Sequence, residues 1–213
     1  MKVLKMTVVA LAMASFALAM PIVGLYSTGT GSTPGNQELN WVLNGETTPY
    51  VTQTGVFPFP NWVANDGNSQ WISPQANYAG TLSDAGGTYQ YSLSFTLGSG
   101  LDAGSAWMQY SLAGDNTVTG ITLNGTTIPG AGASLAALSG PYTVDTGFVT
   151  GTNEIIVSVL NLGDLVGNPT GFRFEVLDSN IDELQEGTVP EPGTLAVVGL
   201  ALAALPLMRR RRS

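Results

Sequence analysis

The chain has 213 residues, with no cysteine, no histidine, and seven lysines and arginines against fifteen aspartates and glutamates. Without Cys and His, thiol chemistry, disulfides and Cys/His zinc sites are excluded, as is the commonest general base near neutral pH. Six of the seven bases stand at the termini, so residues 20–188 hold fourteen acids and one base, a formal charge of −13 that argues against nucleic acid as a partner.

Taken in chain order, the first element is Met1 to Ala19, MKVLKMTVVALAMASFALA. Lys2 and Lys5 form a positive n-region, and Met6 to Phe16 is an apolar stretch of h-region length. Ala17-Leu18-Ala19 then supplies the small-x-small site that signal peptidase accepts. A buried N-terminal helix is the alternative, and two lysines, no acids and that exit sequence weigh against it. The mature chain is expected to begin near Met20, with residues 20–37 as a leader segment before a folded domain at 38–177.

Within 38–177, short alternating runs separated by turn residues predict an all-β fold. In Thr88 to Leu97, Tyr89, Tyr91, Leu93, Phe95 and Leu97 share one face, and polar residues share the other. Ser105 to Leu112 alternates again, with Ala106, Met108, Tyr110 and Leu112 inward. Asn124-Gly125, between Ile121-Thr122-Leu123 and Thr126-Thr127-Ile128, signals a type I′ hairpin, and a phase slip between Val118 and Ile121 predicts a bulge near Gly120. Glu154 to Leu160 is more uniformly apolar, as suits a central strand covered on both faces. Gly171 to Leu177 places Phe172, Phe174 and Val176 inward. Turn signals every ten or so residues and no sustained helical periodicity predict a two-sheet antiparallel sandwich.

Several residues in this body could serve a site. Trp107 falls in phase with Ser105, Gln109 and Ser111, on the polar face of its strand, where an indole can stack on the apolar side of a sugar ring. The plain alternative is that a loop or an edge covers it. Trp62 and Trp71 flank Asn65-Asp66-Gly67-Asn68, a loop of the kind that carries binding in sandwiches, although buried anchors for the loop are the simpler reading. Trp41 reads as core, and Phe57-Pro58-Phe59-Pro60 as a rigid loop. Arg173, the one base of the body, shares a strand face with Glu175, which reads first as a surface ion pair worth about 0–1 kcal/mol. A sharper reading has Arg173 hold a carboxylate or hydroxyl of an acidic polysaccharide while Glu175 orients it. Asp66 and Glu175 are also candidate oxygen ligands for a structural Ca²⁺. The acids are scattered through turns, so no pair is assigned to catalysis and no enzyme activity is expected.

Asp178 to Thr188, DSNIDELQEGT, reads as a solvated acidic spacer over residues 178–188. After it comes Val189-Pro190-Glu191-Pro192, then the apolar run Gly193 to Met208, then Arg209, Arg210, Arg211 and Arg212. As a helix the apolar run spans about 24 Å, short of a ~30 Å hydrocarbon core, and a basic cluster after it holds that side in the cytoplasm. A plain membrane anchor with its body outside is one reading. In their tripartite order, residues 189–213 resemble the PEP-CTERM sorting signal. That resemblance implies a C-terminal transmembrane helix anchored in the inner membrane before processing, an exosortase that removes the tail, and a Gram-negative host that makes exopolysaccharide or biofilm matrix.

A second resemblance covers most of residues 38–177. NWVANDGNSQWISP, GTYQYSLSFTL, LAGDNTVTGITLNG, TGTNEIIVSVLN and PTGFRFEV, in this order, resemble a galactose-binding-like jelly roll. It implies a carbohydrate-binding sandwich and, in some members, a structural Ca²⁺ held by loop oxygens. The two resemblances together imply an exported cell-surface or matrix protein that contacts exopolysaccharide. A structural or self-associating surface protein without a sugar ligand is the alternative, and a carbohydrate-active enzyme is the remaining one.

Overall fold

The computed structural model describes residues 19–78, 83–163 and 167–184, and all regular structure among them is β. The expected signal helix, apart from Ala19 at its end, and the expected C-terminal transmembrane helix lie outside the described residues. The described residues form eleven strands: β1 (Ala19–Met20), β2 (Trp41–Leu43), β3 (Tyr50–Val51), β4 (Ile72–Ser73), β5 (Gly87–Leu97), β6 (Leu101–Asp115), β7 (Thr117–Leu123), β8 (Thr126–Thr127), β9 (Ser139–Val144), β10 (Gly151–Asn161) and β11 (Gly171–Glu183). They build two antiparallel sheets. One has the order β3-β4-β11-β6-β9, with β1 also paired to β11, and the other is β2-β5-β10-β7-β8.

The long strands follow their period-2 patterns. In β5, Tyr91, Leu93, Phe95 and Leu97 are buried while Gln90, Ser94 and Thr96 are exposed. β10 occupies the predicted central place, in unbroken register with β5 from Gly151 opposite Leu97 to Asn161 opposite Gly87. Its second face is only partly covered, because Ile156, Ser158 and Leu160 alternate with the buried Ile155, Val157 and Val159. Asn124 and Gly125 both take positive φ, 50° and 79°, which the type I′ turn between β7 and β8 requires. The predicted bulge is present as a register shift: Ser158 faces Gly120 and Val159 faces Val118, leaving Thr119 as the extra residue.

The core lies between the sheets. Trp41 of β2 meets Phe172 and Phe174 of β11 with ring centroids 5.4 Å away in each case, and Tyr110 stacks on Phe174 at 4.9 Å. Each such aromatic pair contributes about 0.5–1.5 kcal/mol beyond its area burial. A second, smaller apolar cluster of Trp62, Trp71, Tyr78 and Ala113 sits on the other side of the six-stranded sheet. Ala113 points there because Leu112 points inward, and the long segment between β3 and β4 folds back over it. Both clusters lie between Ile22 and Ile181, so the described body carries its own core.

Two boundaries differ from the sequence-based ones. β11 does not stop at Leu177. After a register shift between Val176 and Asp178 it continues to Glu183, with Asn180 opposite Trp107, Asp182 opposite Asp102 and Ile181 1% exposed. The first six residues of the expected spacer are therefore sheet. The expected leader is likewise part of the fold. Met20 pairs with Ile181, Ile22 and Leu25 enter the core, and Thr28 bridges β11 to Gln70.

Candidate functional site

The outer face of the six-stranded sheet divides into a covered half and an open half. The covered half is organised by Arg173. Period 2 places it outward on β11, where the loop before β4 closes over it and leaves it 0% exposed. Its Nε donates to Ser69 Oγ at 2.7 Å, Nη1 donates to the Ala64 carbonyl, and Nη2 lies 2.7 Å from Asp66 Oδ2 and 3.4 Å from Glu175 Oε2. Ser69 Oγ completes the circuit by donating to Glu175 Oε2 at 2.9 Å. The expected surface ion pair is thus a buried one. The expected polysaccharide contact through Arg173 finds its guanidinium already committed to internal partners.

Asp66 is the exposed member of this network, its side chain half accessible. Burial opposes its ionisation, but the N–H groups of Asn68 and Ser69 and the Arg173 guanidinium outweigh this and hold its carboxyl below the ordinary value. The cation that Asp66 and Glu175 hold is therefore Arg173, in the place the sequence reading gave to Ca²⁺. Among the described residues no group of three or more acidic side chains gathers to hold a metal ion. Trp62 and Trp71, the other loop candidates, are 2% and 0% exposed, with ring centroids 4.3 Å apart. Trp71 donates its indole N–H to the Val63 carbonyl and Trp62 donates to Asp115 Oδ2, both at 2.7 Å. They anchor the loop and offer no stacking platform.

The loop leaves a polar cleft of ≈ 280 Å³ beside it, between residues 28–32 and 66–70. Gly29 shapes one wall: its φ is +81°, and a Cβ there would stand 2.6 Å from Gln70 Cβ. Gln70 Nε2 donates to the Gly29 and Ser32 carbonyls at 3.1 Å each, and buried Glu38 accepts from the Gly29 N–H at 2.7 Å. These glycine- and serine-rich residues show no hydrophobic period, so sequence reasoning had no signal for them.

The open half lies around Trp107, partly exposed on β6. Asn180 of β11 is its direct cross-strand partner. Gln109, two residues on, faces Asp178 on one side and Thr143 of β9 on the other, donating to Thr143 Oγ1 at 3.3 Å. An indole flanked by amides, a hydroxyl and a carboxylate can stack on one face of a sugar ring and hydrogen-bond its rim. Trp107 is legible from its phase, but Asp178 and Asn180 are not, because the register shift after Val176 breaks the alternation before them.

A further polar group is buried at the Trp62 end of the sheet. Asp84 accepts from Tyr78 O–H at 2.5 Å and from the Thr170 N–H at 2.9 Å. Burial pushes the Asp115 carboxyl up to about 6, against the opposing Trp62 hydrogen bond and with the Asp84 charge adding to the rise. Burial also raises the Tyr78 and Tyr91 phenols.

The comparisons with known proteins concern the C-terminus. Residues 188–212 match the PEP-CTERM protein-sorting motif. No curated protein and no solved structure matches the chain. The motif contains Val189, Pro190, Glu191 and Pro192 and the arginines Arg209 to Arg212, all outside the described residues, as is Ala17 of the expected signal cleavage site. It supports an exported protein that an exosortase processes, with a fate associated with the cell envelope.

Proposed function

We propose that this protein is a non-enzymatic surface or matrix protein, anchored in the inner membrane by residues 193–208 until its tail is removed. Its sandwich then binds exopolysaccharide through the open face around Trp107. The observation that carries the reading is the sorting motif at 188–212, which directs the chain to the envelope. Trp107 supports the sugar-binding part, because it is a partly exposed indole among hydrogen-bonding side chains in an otherwise polar row. The chain order between the sheets and the sequence resemblance to galactose-binding-like jelly rolls support it further. Association with biofilm follows from the same reading.

Sorting and ligand binding are tested separately. Replacing Pro190-Glu191-Pro192 by alanines in the native host should leave a membrane-bound precursor whose mass includes the arginine-ended tail. Normal maturation of that variant would remove the sorting part. Retention of the processed protein on matrix polysaccharide from the host, reduced by Trp107→Ala, is the expected result for binding. Folded protein that no such polysaccharide retains would remove the binding part.

A further inference from the structure

An acidic polysaccharide would need a base to hold it, and Arg173 is the candidate in the body. Arg173 is the one lysine or arginine among the described residues, and its guanidinium is internal, with a side chain 1% exposed. The open face therefore presents no cation to a uronic acid or a sulfate.

What it presents instead is carboxylate. Asp178 and Asn180 stand in the outward row of β11 beside Gln109 and Trp107; past a register shift, Asp182 follows on β11, opposite exposed Asp102, five residues before Trp107 on β6. Asn180 Nδ2 donates to Asp182 Oδ1 at 3.4 Å, which links the row without neutralising it. Cross-strand neighbours on one face lie about 4.5–5.5 Å apart directly and about 7–8 Å diagonally. A sugar ring seated on the indole is then within reach of Asp178, the diagonal neighbour, and a chain of rings running along β11 meets Asp182 two residues beyond Asn180. Like charge on a ligand would be repelled there, and a positive substituent would be drawn in.

We infer that the ligand of the Trp107 face is a glycan bearing free amino groups, such as a partly deacetylated hexosamine polymer, with the indole stacking on a ring and Asp178 and Asp182 pairing with its ammonium groups. This rests on the glycan-binding reading above and narrows it. Ammonium groups are three-donor point charges, so the carboxylates and the Asn180 and Gln109 carbonyl oxygens can share them. The wider body strengthens the attraction, since residues 20–188 carry a formal charge of −13.

The test uses residues 20–188, the body without its sorting tail, which hold both apolar clusters. The probes are a partly deacetylated N-acetylglucosamine polymer, its fully acetylated counterpart and a polyuronate. The amino polymer should be retained, with affinity falling at least about fivefold from low to high salt as paired charges are screened. Trp107→Ala should lower affinity roughly tenfold, a loss of about 1.4 kcal/mol. The double variant Asp178→Asn, Asp182→Asn should lower it by about threefold and flatten the salt dependence. Glu46→Gln, in a turn away from this face, should change nothing, and circular dichroism checks folding throughout. Equal binding of the acetylated polymer, or preference for the polyuronate, would overturn the amine assignment while leaving a glycan face intact. Amino-polymer binding indifferent to Trp107→Ala would overturn the site as mere charge attraction. No retention on any probe would instead strike the binding reading itself.

Discussion

Arg173 on β11 and Asp66 in the loop before β4 meet with Nη2 2.7 Å from Oδ2, and this contact ties the loop to the sheet. The guanidinium also holds Ser69, Glu175 and the Ala64 carbonyl, so removing it strands several buried partners at once. Breaking a buried pair in this way typically costs about 3–5 kcal/mol. Arg173→Met should therefore lower unfolding stability by about 3 kcal/mol, read as a fall in urea midpoint at unchanged slope. Arg173→Lys should recover little, because one ammonium cannot replace the planar fork.

Asp66→Asn probes the same network from its solvent side. Asp66 titrates below the ordinary carboxylate value in the folded protein. Its contribution is then fully present above the unfolded pKa and disappears as pH falls through the folded one. The variant should be less stable than the parent at neutral pH, with the gap closing as pH falls below the unfolded value of about 3.9 and through the lowered folded one. A stability gap that persists unchanged into strong acid would mean that the charge on Asp66 contributes nothing.

Asp115 behaves in the opposite sense. Burial pushes its carboxyl up to about 6, so the folded state holds the proton more tightly than the unfolded chain. The stability this adds is complete below the unfolded pKa of about 3.9 and is lost as pH rises through 6. Asp115→Asn keeps an acceptor for the Trp62 indole N–H, 2.7 Å away, and removes the buried charge. It should stabilise the protein at pH 8 by roughly 1–3 kcal/mol, with the gain vanishing near pH 4. Urea unfolding of parent and variant across this range reads the difference directly, so the other carboxylates cancel.

The legible parts of this fold were those whose side chains alternate against water. β5, β6 and the β7–β8 turn follow from period 2 and from Asn124-Gly125, and the central place of β10 from its more uniformly apolar run, all of them local signals. Arg173 shows the limit of that signal. Phase correctly put it on the outer face, but phase cannot reveal that residues 64–69 return from far along the chain to cover it. The leader was invisible for a different reason. Thr28 and Gly29 are held by hydrogen bonds to Phe174, Gln70 and Glu38, and such bonds leave no hydrophobic pattern. At the open face, the bulge at Leu177 broke the alternation. That made Asp178 and Asn180 look like solvated spacer when they flank Trp107.

The far half of β11 offers the sharpest test of where the folded body ends. Ile181 is 1% exposed in the main core and pairs with Met20 of β1, while Asp182 and Glu183 pair with Asp102 and Leu101 of β6. Leu184 adds an N–H bond to the Gly100 carbonyl at 2.8 Å. A chain ending at Leu177 loses all of these and frees the N-terminal strand, since among the described residues β1 pairs with β11 alone. Deleting one buried isoleucine side chain alone costs about 2–5 kcal/mol, and the lost ladder adds to it. Residues 20–184 should therefore unfold in one cooperative transition, whereas residues 20–177 should be at least about 3 kcal/mol less stable or fail to fold. Equal urea midpoints for the two proteins would show that residues 178–183 are a tether after all, and the carboxylates beside Trp107 would then lose their fixed positions.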